Sequence, residues 1–102
     1  MQISSKFEGS HATLSLAGRF DFHSHRDFRN AYEKVLEEVR AKEVEVNFSD
    51  VDYLDSSALG MLLLLKEKSD AAGKSVVLSS PRGAVRQVLD IANFGKLFKI
   101  VE

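Results

Sequence analysis

Residues 44–65, VEVNFSDVDYLDSSALGMLLLL, contain the two patterns that decide the fold. Apolar and polar side chains alternate over residues 44–48, which is typical of a half-buried strand. Residues 58–72, which begin with a run of leucines, predict a helix, and Gly73 is placed to end it. We interpret the polar segment between them, residues 49–57, as a loop. A strand, a loop and a helix in this order predict one unit of an α/β fold.

Upstream of this stretch the sequence predicts a hairpin followed by a helix. Residues 2–8 form a weak strand pattern, and residues 12–17 alternate strictly after the turn signal Gly9-Ser10. Apolar side chains then recur with helical spacing over about residues 24–40, with charged side chains on the opposite side. Because Ser24 is followed three residues later by an acidic residue, we expect it to cap this helix.

Downstream the alternation of strands and helices continues. Residues 75–78 have the pattern of a buried strand, Ser80-Pro81 is a helix-start signal, Gly95 is a stop signal, and residues 97–101 predict a last short strand. The element order is ββαβαβαβ. Helices that alternate with strands predict right-handed crossovers and a mostly parallel sheet, which the opening hairpin makes mixed. We therefore expect residues 1–102 to form one α/β domain with about five strands and three helices.

The composition argues against several classes of function. Lys and Arg number 14 against 15 Asp and Glu, and a net charge of -1 does not fit a strongly basic nucleic-acid-binding protein. The absence of cysteine excludes disulfide scaffolds, thiolate metal sites and cysteine nucleophiles. The longest apolar run, residues 61–65, is far shorter than a bilayer requires, and the first residues lack a signal-peptide pattern. We expect a cytoplasmic domain that needs no cofactor and binds neither nucleic acid nor membrane.

A carboxylate and two hydroxyls, Asp55, Ser56 and Ser57, stand directly before the apolar helix. One interpretation is helix capping, since Asp and Ser are favoured at an N-cap. The other is a serine presented for phosphorylation. A phosphate there would add about −1.5 to −2 charges beside Asp55, and the helix dipole would favour them. Functional loops of parallel sheets cluster at the carboxyl ends of the strands, which is where this segment falls.

The leucine run that follows is a second candidate feature. At about 100° per residue its apolar side chains surround the helix, which is more than one packing face needs. Either the helix packs on two sides within the domain, or part of the run is exposed as a partner surface. An exposed Met61 or Leu64 would give such a surface a desolvated centre.

The segment Asp55-Ser56-Ser57-Ala58-Leu59-Gly60 resembles the signature of STAS-domain anti-sigma factor antagonists, whose usual form is Asp-Ser-Ser-Gly-Leu-Gly. The segment Gly18-Arg19-Phe20-Asp21 resembles the end of that family's second strand, and residues 92–100 resemble its final passage from helix to strand. The resemblance covers about residues 2–101 in the same order of elements. Many relatives continue beyond the position of Glu102 into a last helix, so we expect a STAS domain truncated before that helix.

The resemblance implies a partner-switching mechanism. The unphosphorylated protein would bind an anti-sigma factor that is also a serine kinase with a histidine-kinase-like ATPase fold, and would thereby free the sigma factor. Phosphorylation of Ser56, the serine after the motif aspartate, would release the complex, and a metal-dependent serine phosphatase would reverse it. Asp21, Asp55 and Ser57 would lie beside Ser56 and take part in partner binding. Independently of the resemblance, the leucine run offers residues 61 and 64 as further apolar contacts for a partner.

Other interpretations stay open. A scaffold or transporter-associated STAS module would use the same surface for constitutive docking, without a phosphorylation switch. Asp21, His23 and His25 could share a metal ion if the segment were extended. The aspartates within residues 50–55 could suggest a phosphoaspartate receiver, but the acidic pair that a receiver needs after its first strand is absent. An enzyme lacks support, since the sequence has neither a glycine-rich phosphate loop nor a Gly-x-Ser-x-Gly elbow.

Overall fold

Five strands form one sheet in the order in which they occur along the chain. In this computed structural model, which describes residues 1–102, the strands are β1 (Gln2–Glu8), β2 (His11–Phe20), β3 (Glu43–Leu54), β4 (Ser75–Ser79) and β5 (Lys99–Val101). β1 and β2 are antiparallel, whereas β2 to β5 are parallel to one another. The predicted mixed, mostly parallel sheet is confirmed.

Three helices connect the parallel strands, and they are α1 (His25–Glu37), α2 (Ser56–Ala71) and α3 (Gly83–Ile91). Each connection leads to the adjacent strand in the same direction across the sheet. Because crossovers of this kind are right-handed, all three helices lie on one face of the sheet. None of the helices has the length and apolar character that crossing a bilayer demands. The predicted order of elements, ββαβαβαβ, is confirmed.

The hydrophobic core lies between the helices and the covered face of the sheet. It is a single cluster of 22 buried residues, to which β2 and β3 contribute the apolar members of their alternating patterns, such as Leu14 and Val46. The opposite face of the sheet is open and carries polar side chains such as Glu45. Val77 on that face is buried but lies outside the cluster. Covering one face only explains why these strands alternate instead of being apolar throughout.

β3 is longer than the sequence pattern predicts. It continues to Leu54 through Ser49 and Asp50, which we expected to begin a loop. Its register with β2 shifts at two places, and at each of them β3 has an extra residue. Such bulges increase the local twist and re-aim side chains, which hides the continuing strand from a period-two pattern. The guanidinium of Arg82 donates a hydrogen bond to the Ser49 carbonyl and ties the first bulge to the start of α3.

α1 begins and ends inside its predicted limits. The chain first forms a 3₁₀ turn, Phe22–Ser24, which Asp21 caps, and α1 starts only at His25. The predicted capping role of Ser24 is wrong, because its side chain makes no cap hydrogen bond at α1. The Ser24 hydroxyl instead donates to the Arg19 carbonyl at 3.1 Å, which ties the turn to the end of β2.

α3 is shorter than predicted at both ends. Ser80 has a φ of 57° and its N–H donates to the Val101 carbonyl at 2.8 Å, so it extends the pairing of β4 with β5 instead of capping a helix. The helix starts at Gly83. At the other end Asn93, with a φ of 60°, supplies the left-handed residue that follows the helix, two positions before the predicted stop at Gly95.

Gly73 ends α2 as its position predicts, with a φ of 72°. The N–H groups of Gly73 and Lys74 donate to the carbonyls of Asp70 (3.1 Å) and Ser69 (2.9 Å), which is the Schellman pattern. The buried ammonium of Lys74 then donates to two main-chain carbonyls that follow α1, at 2.9 Å in the case of Glu38. The ends of α1 and α2 are therefore joined by one side chain.

Candidate functional site

The carboxyl ends of β2 and β3 lie side by side and bring two segments of the candidate site together. Phe20 pairs with Leu54 at the end of the register. The N–H of Asp55 donates to the Phe20 carbonyl at 3.4 Å. Asp21 and Asp55 therefore follow adjacent strand ends, at the edge of the sheet where α2 begins.

Asp55 is the N-cap of α2. Its Oδ1 accepts a hydrogen bond from the N–H of Ala58 at 3.0 Å, which satisfies one of the free amides of the first turn. Ser56 and Ser57 are the first two residues of the helix, and Ser56 is exposed whereas Ser57 is half-buried. The capping interpretation thus holds for Asp55, and it leaves Ser56 accessible to another protein without unfolding.

Asp21 also has a structural role. Its Oδ1 accepts a hydrogen bond from the N–H of His23 at 3.0 Å, and its own N–H donates to the Ser24 hydroxyl at 3.3 Å. The Nε of Arg19 lies 3.6 Å from the second carboxylate oxygen. These contacts fix the carboxylate at the 3₁₀ turn, where it contributes negative charge to the edge that also carries Asp55.

The exposed side of α2 forms a ridge that begins at Ser56. Ser56, Gly60, Leu63 and Leu64 follow one another at helical spacing, and we call these four residues the α2 ridge. Leu63 and Leu64 are 41% and 42% exposed. A Cβ added to Gly60 would meet no atom within 4 Å, so the middle of the ridge is bare backbone. An exposed apolar surface therefore starts at Leu63, about two helical turns from Ser56.

Met61 lies on the other side of α2. It is 4% exposed and packs in the core together with Leu62 and Leu65. The expectation that Met61 is an exposed contact is wrong, because its position on the helix places it on the stripe that faces the sheet. Of the two apolar candidates, Leu64 alone is available to a partner.

Two exposed aromatic side chains near this edge were not identified from the sequence. Tyr53 is the penultimate residue of β3, and the Arg19 guanidinium lies 3.9 Å from the centre of its ring. Phe22, in the 3₁₀ turn, is also exposed. The position of Tyr53 two residues before Asp55 could have indicated that it lies near the site. The bulges of β3 break the alternation of side chains, so the sequence does not predict which face of the sheet carries it.

The remaining polar candidates are the possible metal cluster at Asp21 and the hydroxyl of Ser56. The structure contains no group of three or more His, Cys, Asp or Glu side chains that could hold a metal ion, and this includes Asp21, His23 and His25. The Ser56 hydroxyl makes no hydrogen bond to a basic side chain.

A second cluster of titratable groups lies on the open face, near the amino ends of β2 and β3. His11 contacts Glu43 through Nδ1 (2.9 Å) and Glu45 through Nε2 (2.8 Å), and the Ser79 hydroxyl donates to Glu45 at 2.6 Å. The hydrogen bond to Glu45 raises the pKa of His11 above its usual 6.5. The hydrogen bond from Ser79 lowers the pKa of Glu45 below its usual 4.5. The cluster joins three strands and lies at the opposite end of β3 from Ser56.

Known proteins are similar to this chain over nearly its whole length. The family model described as "Mlab, STAS domain" matches residues 3–102. The chain belongs to the STAS domain family. A STAS-domain containing protein of Pseudomonas aeruginosa is 43% identical to it over 93 residues, which cover 91% of this chain and 90% of the relative. The resemblance inferred from the motif at Asp55 is therefore confirmed at the level of the family.

Solved structures of other STAS domains have the same fold. A putative anti-sigma factor antagonist from Thermotoga maritima superposes with a TM-score of 0.87 at 21% identity, covering 98% of this chain and 86% of that one. The anti-sigma factor antagonist SpoIIAA of Bacillus, in its phosphorylated form, superposes with a TM-score of 0.74 at 18% identity, covering 99% of this chain and 92% of that one. A sulfate transporter family protein from Wolinella succinogenes superposes with a TM-score of 0.77 at 17% identity, covering 90% of this chain and 76% of that one. At these identities the likeness establishes the fold.

Proposed function

We propose that this STAS domain is an anti-sigma factor antagonist whose binding is switched by phosphorylation of Ser56. The observation that carries the proposal is the exposure of Ser56 as the first residue of α2, directly after the capping Asp55. In the unphosphorylated form, the α2 ridge docks on an anti-sigma factor that is a serine kinase with a histidine-kinase-like ATPase fold. Docking occupies the anti-sigma factor and frees the sigma factor.

Phosphorylation requires from this chain only an accessible hydroxyl. The Ser56 Oγ attacks the γ-phosphorus of ATP held by the kinase, and the bond from that phosphorus to the β,γ-bridging oxygen breaks to leave ADP. The hydroxyl proton passes to a base of the kinase, which fits the absence of a base beside Ser56. A metal-dependent serine phosphatase reverses the step, with water taking the phosphoryl group and the proton returning to the serine oxygen.

The phosphate acts on binding through its charge. It adds about −1.5 to −2 charges at pH 7 next to the Asp55 carboxylate, with Asp21 at the adjacent strand end. The dipole of α2 offsets part of the repulsion, so the domain stays folded. In a docked complex the same charge must lose its hydration, which disfavours binding unless the kinase places a cation there.

The decisive experiment begins with affinity capture of partners by the wild-type chain and by Ser56→Ala. The captured kinase is then purified and incubated with the chain and ATP. We expect mass spectrometry to find one phosphate on the wild type, none on Ser56→Ala, and full incorporation on the matched control Ser57→Ala. Calorimetric titration should show that Ser56→Ala keeps wild-type affinity. The affinity of the phosphorylated chain should be lower by at least about 100-fold. Undiminished phosphate on Ser56→Ala would refute the assignment.

Asp21→Asn tests whether the carboxylate beside the site contributes charge or only capping. The asparagine side-chain oxygen still accepts the hydrogen bond from the N–H of His23, so the melting temperature should stay within a few degrees. If the charge matters, phosphorylation or kinase binding weakens. Normal phosphorylation together with a large loss of stability would assign Asp21 a structural role only.

A second candidate is a constitutive docking module of a transporter. Its support is the apolar part of the α2 ridge, Leu63 and Leu64, which can bind a partner without any switch. The fold likeness to a sulfate transporter family protein is compatible with it. In that case the affinities of wild-type, Ser56→Ala and Ser56→Asp chains for the captured partner would be equal, and no phosphate would be found on Ser56 in cells.

A further inference from the structure

The free edge of β1 is a long, regular row of unpaired main-chain groups. β1 has seven residues, whereas β5 at the other edge of the sheet has three. The register of β1 with β2 runs from Gln2↔Ala17 to Glu8↔His11 without a shift. Natural sheets usually protect such an edge with a proline, a bulge or several charges. β1 has no proline and no bulge, and its only charged side chains are Lys6 and Glu8, which lie 2.7 Å from each other and carry opposite charges.

The hairpin geometry fixes which residues of β1 turn their main chain outward. The loop between β1 and β2 has two residues, and Gly9 has a φ of 59°, as a two-residue hairpin turn requires. The residues that flank such a turn, Glu8 and His11, exchange hydrogen bonds with each other. Along an antiparallel pair, hydrogen-bonded and outward-facing residues alternate. The N–H and C=O groups of Ile3, Ser5 and Phe7 therefore point away from β2.

These three residues are symmetric about Ser5, and from this we propose that β1 pairs antiparallel with β1 of a second copy of this chain, centred on Ser5. In that register Ser5 faces Ser5 of the second copy, and Ile3 faces Phe7 of the second copy, twice by symmetry. Every outward N–H and C=O of the two strands then has a partner. A self-complementary patch of this kind forms a closed two-fold dimer with one continuous sheet.

The side chains agree with this register. Ile3 and Phe7 lie on the helix-covered side of the sheet, because they pair with Leu16 and Ala12 of β2. Phe7 is 47% exposed, and the dimer covers it with an apolar cross-strand partner. On the open side, Lys6 faces Ser4 of the second copy, so no like charges stand directly opposite each other.

The dimer leaves the candidate site free. β1 is an edge strand in contact with α1, whereas α2 packs against β4 toward the other side of the sheet. Both copies can therefore present Ser56 at once. The inference does not depend on the proposed function, and a constitutive docking module would dimerise in the same way.

The experiment uses the absence of cysteine from the chain, which makes every introduced thiol unique. Ser5→Cys places the two thiols in a directly opposed pair with Cα atoms about 5.5 Å apart, within the range that a disulfide spans. The matched control is Ser4→Cys, an adjacent and equally exposed serine. Its two copies are offset by two residues along the strands, so their Cα atoms are roughly 8 Å apart and beyond that range.

We expect the Ser5→Cys chain to form a disulfide dimer at least about 10-fold faster than the Ser4→Cys chain under mild oxidation, because only its thiols are opposed. Light scattering of the wild type should show a mass that rises with concentration from 11.4 kDa toward twice that value. A strand-pair interface is small, so we expect dissociation in the range of about 10 µM to 1 mM. A wild type that stays monomeric throughout this range would overturn the proposal. Equal or faster crosslinking of Ser4→Cys would overturn the register, and with it the proposal.

Discussion

Replacing Leu64 with alanine removes an exposed side chain of α2, whereas replacing Leu62 removes a core side chain two positions earlier. Leu64 is 42% exposed, so a little over half of it is covered in the folded domain, whereas Leu62 is 0% exposed. Full burial of a leucine contributes about 1.5–3 kcal/mol, which gives a loss of roughly 1 kcal/mol for Leu64→Ala. Leu62→Ala also leaves a cavity and should cost about 2–5 kcal/mol. Both changes keep a strong helix former, so helix propensity cancels between them.

Urea unfolding followed by circular dichroism measures the two losses, and calorimetric titration with the captured kinase measures binding. We expect Leu64→Ala to lower the melting temperature by about 4–8 °C and Leu62→Ala by at least twice as much. We also expect Leu64→Ala to weaken kinase binding by more than about fivefold, which corresponds to 1 kcal/mol. Leu62→Ala should retain affinity at a temperature where it is fully folded. If Leu64→Ala destabilises the domain as much as Leu62→Ala, or binds the kinase like the wild type, the α2 ridge is not the partner surface.

Four other predictions concern stability. Gly60→Ala should raise the free energy of unfolding by about 0.5–1 kcal/mol in urea titrations, because Gly60 lies mid-helix with open space where a Cβ would stand. Ser69→Ala should be neutral or stabilising by about 1 kcal/mol in the same assay, since the Ser69 hydroxyl is buried without a hydrogen-bond partner. Lys74→Met should destabilise by about 2–3 kcal/mol, because it keeps the aliphatic stem but leaves two main-chain carbonyls without their donor. His11 has a pKa raised above 6.5, so its contribution to stability is complete below pH 6.5 and is lost as the pH rises through its higher folded-state value. Glu45 has a pKa lowered below 4.5, and its contribution is present above pH 4.5 and lost as the pH falls through its lower folded-state value. The pair should therefore stabilise the fold most between about pH 4.5 and 6.5. Its contribution should be less than about 1 kcal/mol, because both side chains are partly exposed. His11→Gln should flatten the profile of unfolding free energy against pH in this range.

Patterns that depend on neighbours along the chain could be read from the sequence. The alternation in residues 44–48 and the stripe of α1 follow from the repeat of the backbone itself, so they predict strand and helix without knowledge of the fold. The order of these elements limits the topology to right-handed crossovers in a mostly parallel sheet. Gly73 also ends α2 for a local reason, since its left-handed conformation is strained for other residues. The motif at residues 55–60, together with the matches at residues 18–21 and 92–100, indicated the family.

The tertiary structure decided the features that depend on contacts between segments far apart in the sequence. Ser80 resembles a helix cap, but its N–H is taken by Val101 across the sheet. Ser49 lies at the first bulge of β3, where the register with β2 passes from Asn47 to Asp50, and this bulge has no signature in the sequence of β3 alone. The different fates of Met61 and Leu64 are the clearest case. Both are apolar and both belong to one helix, and only the placement of α2 on the sheet determines that the first is buried and the second faces solvent.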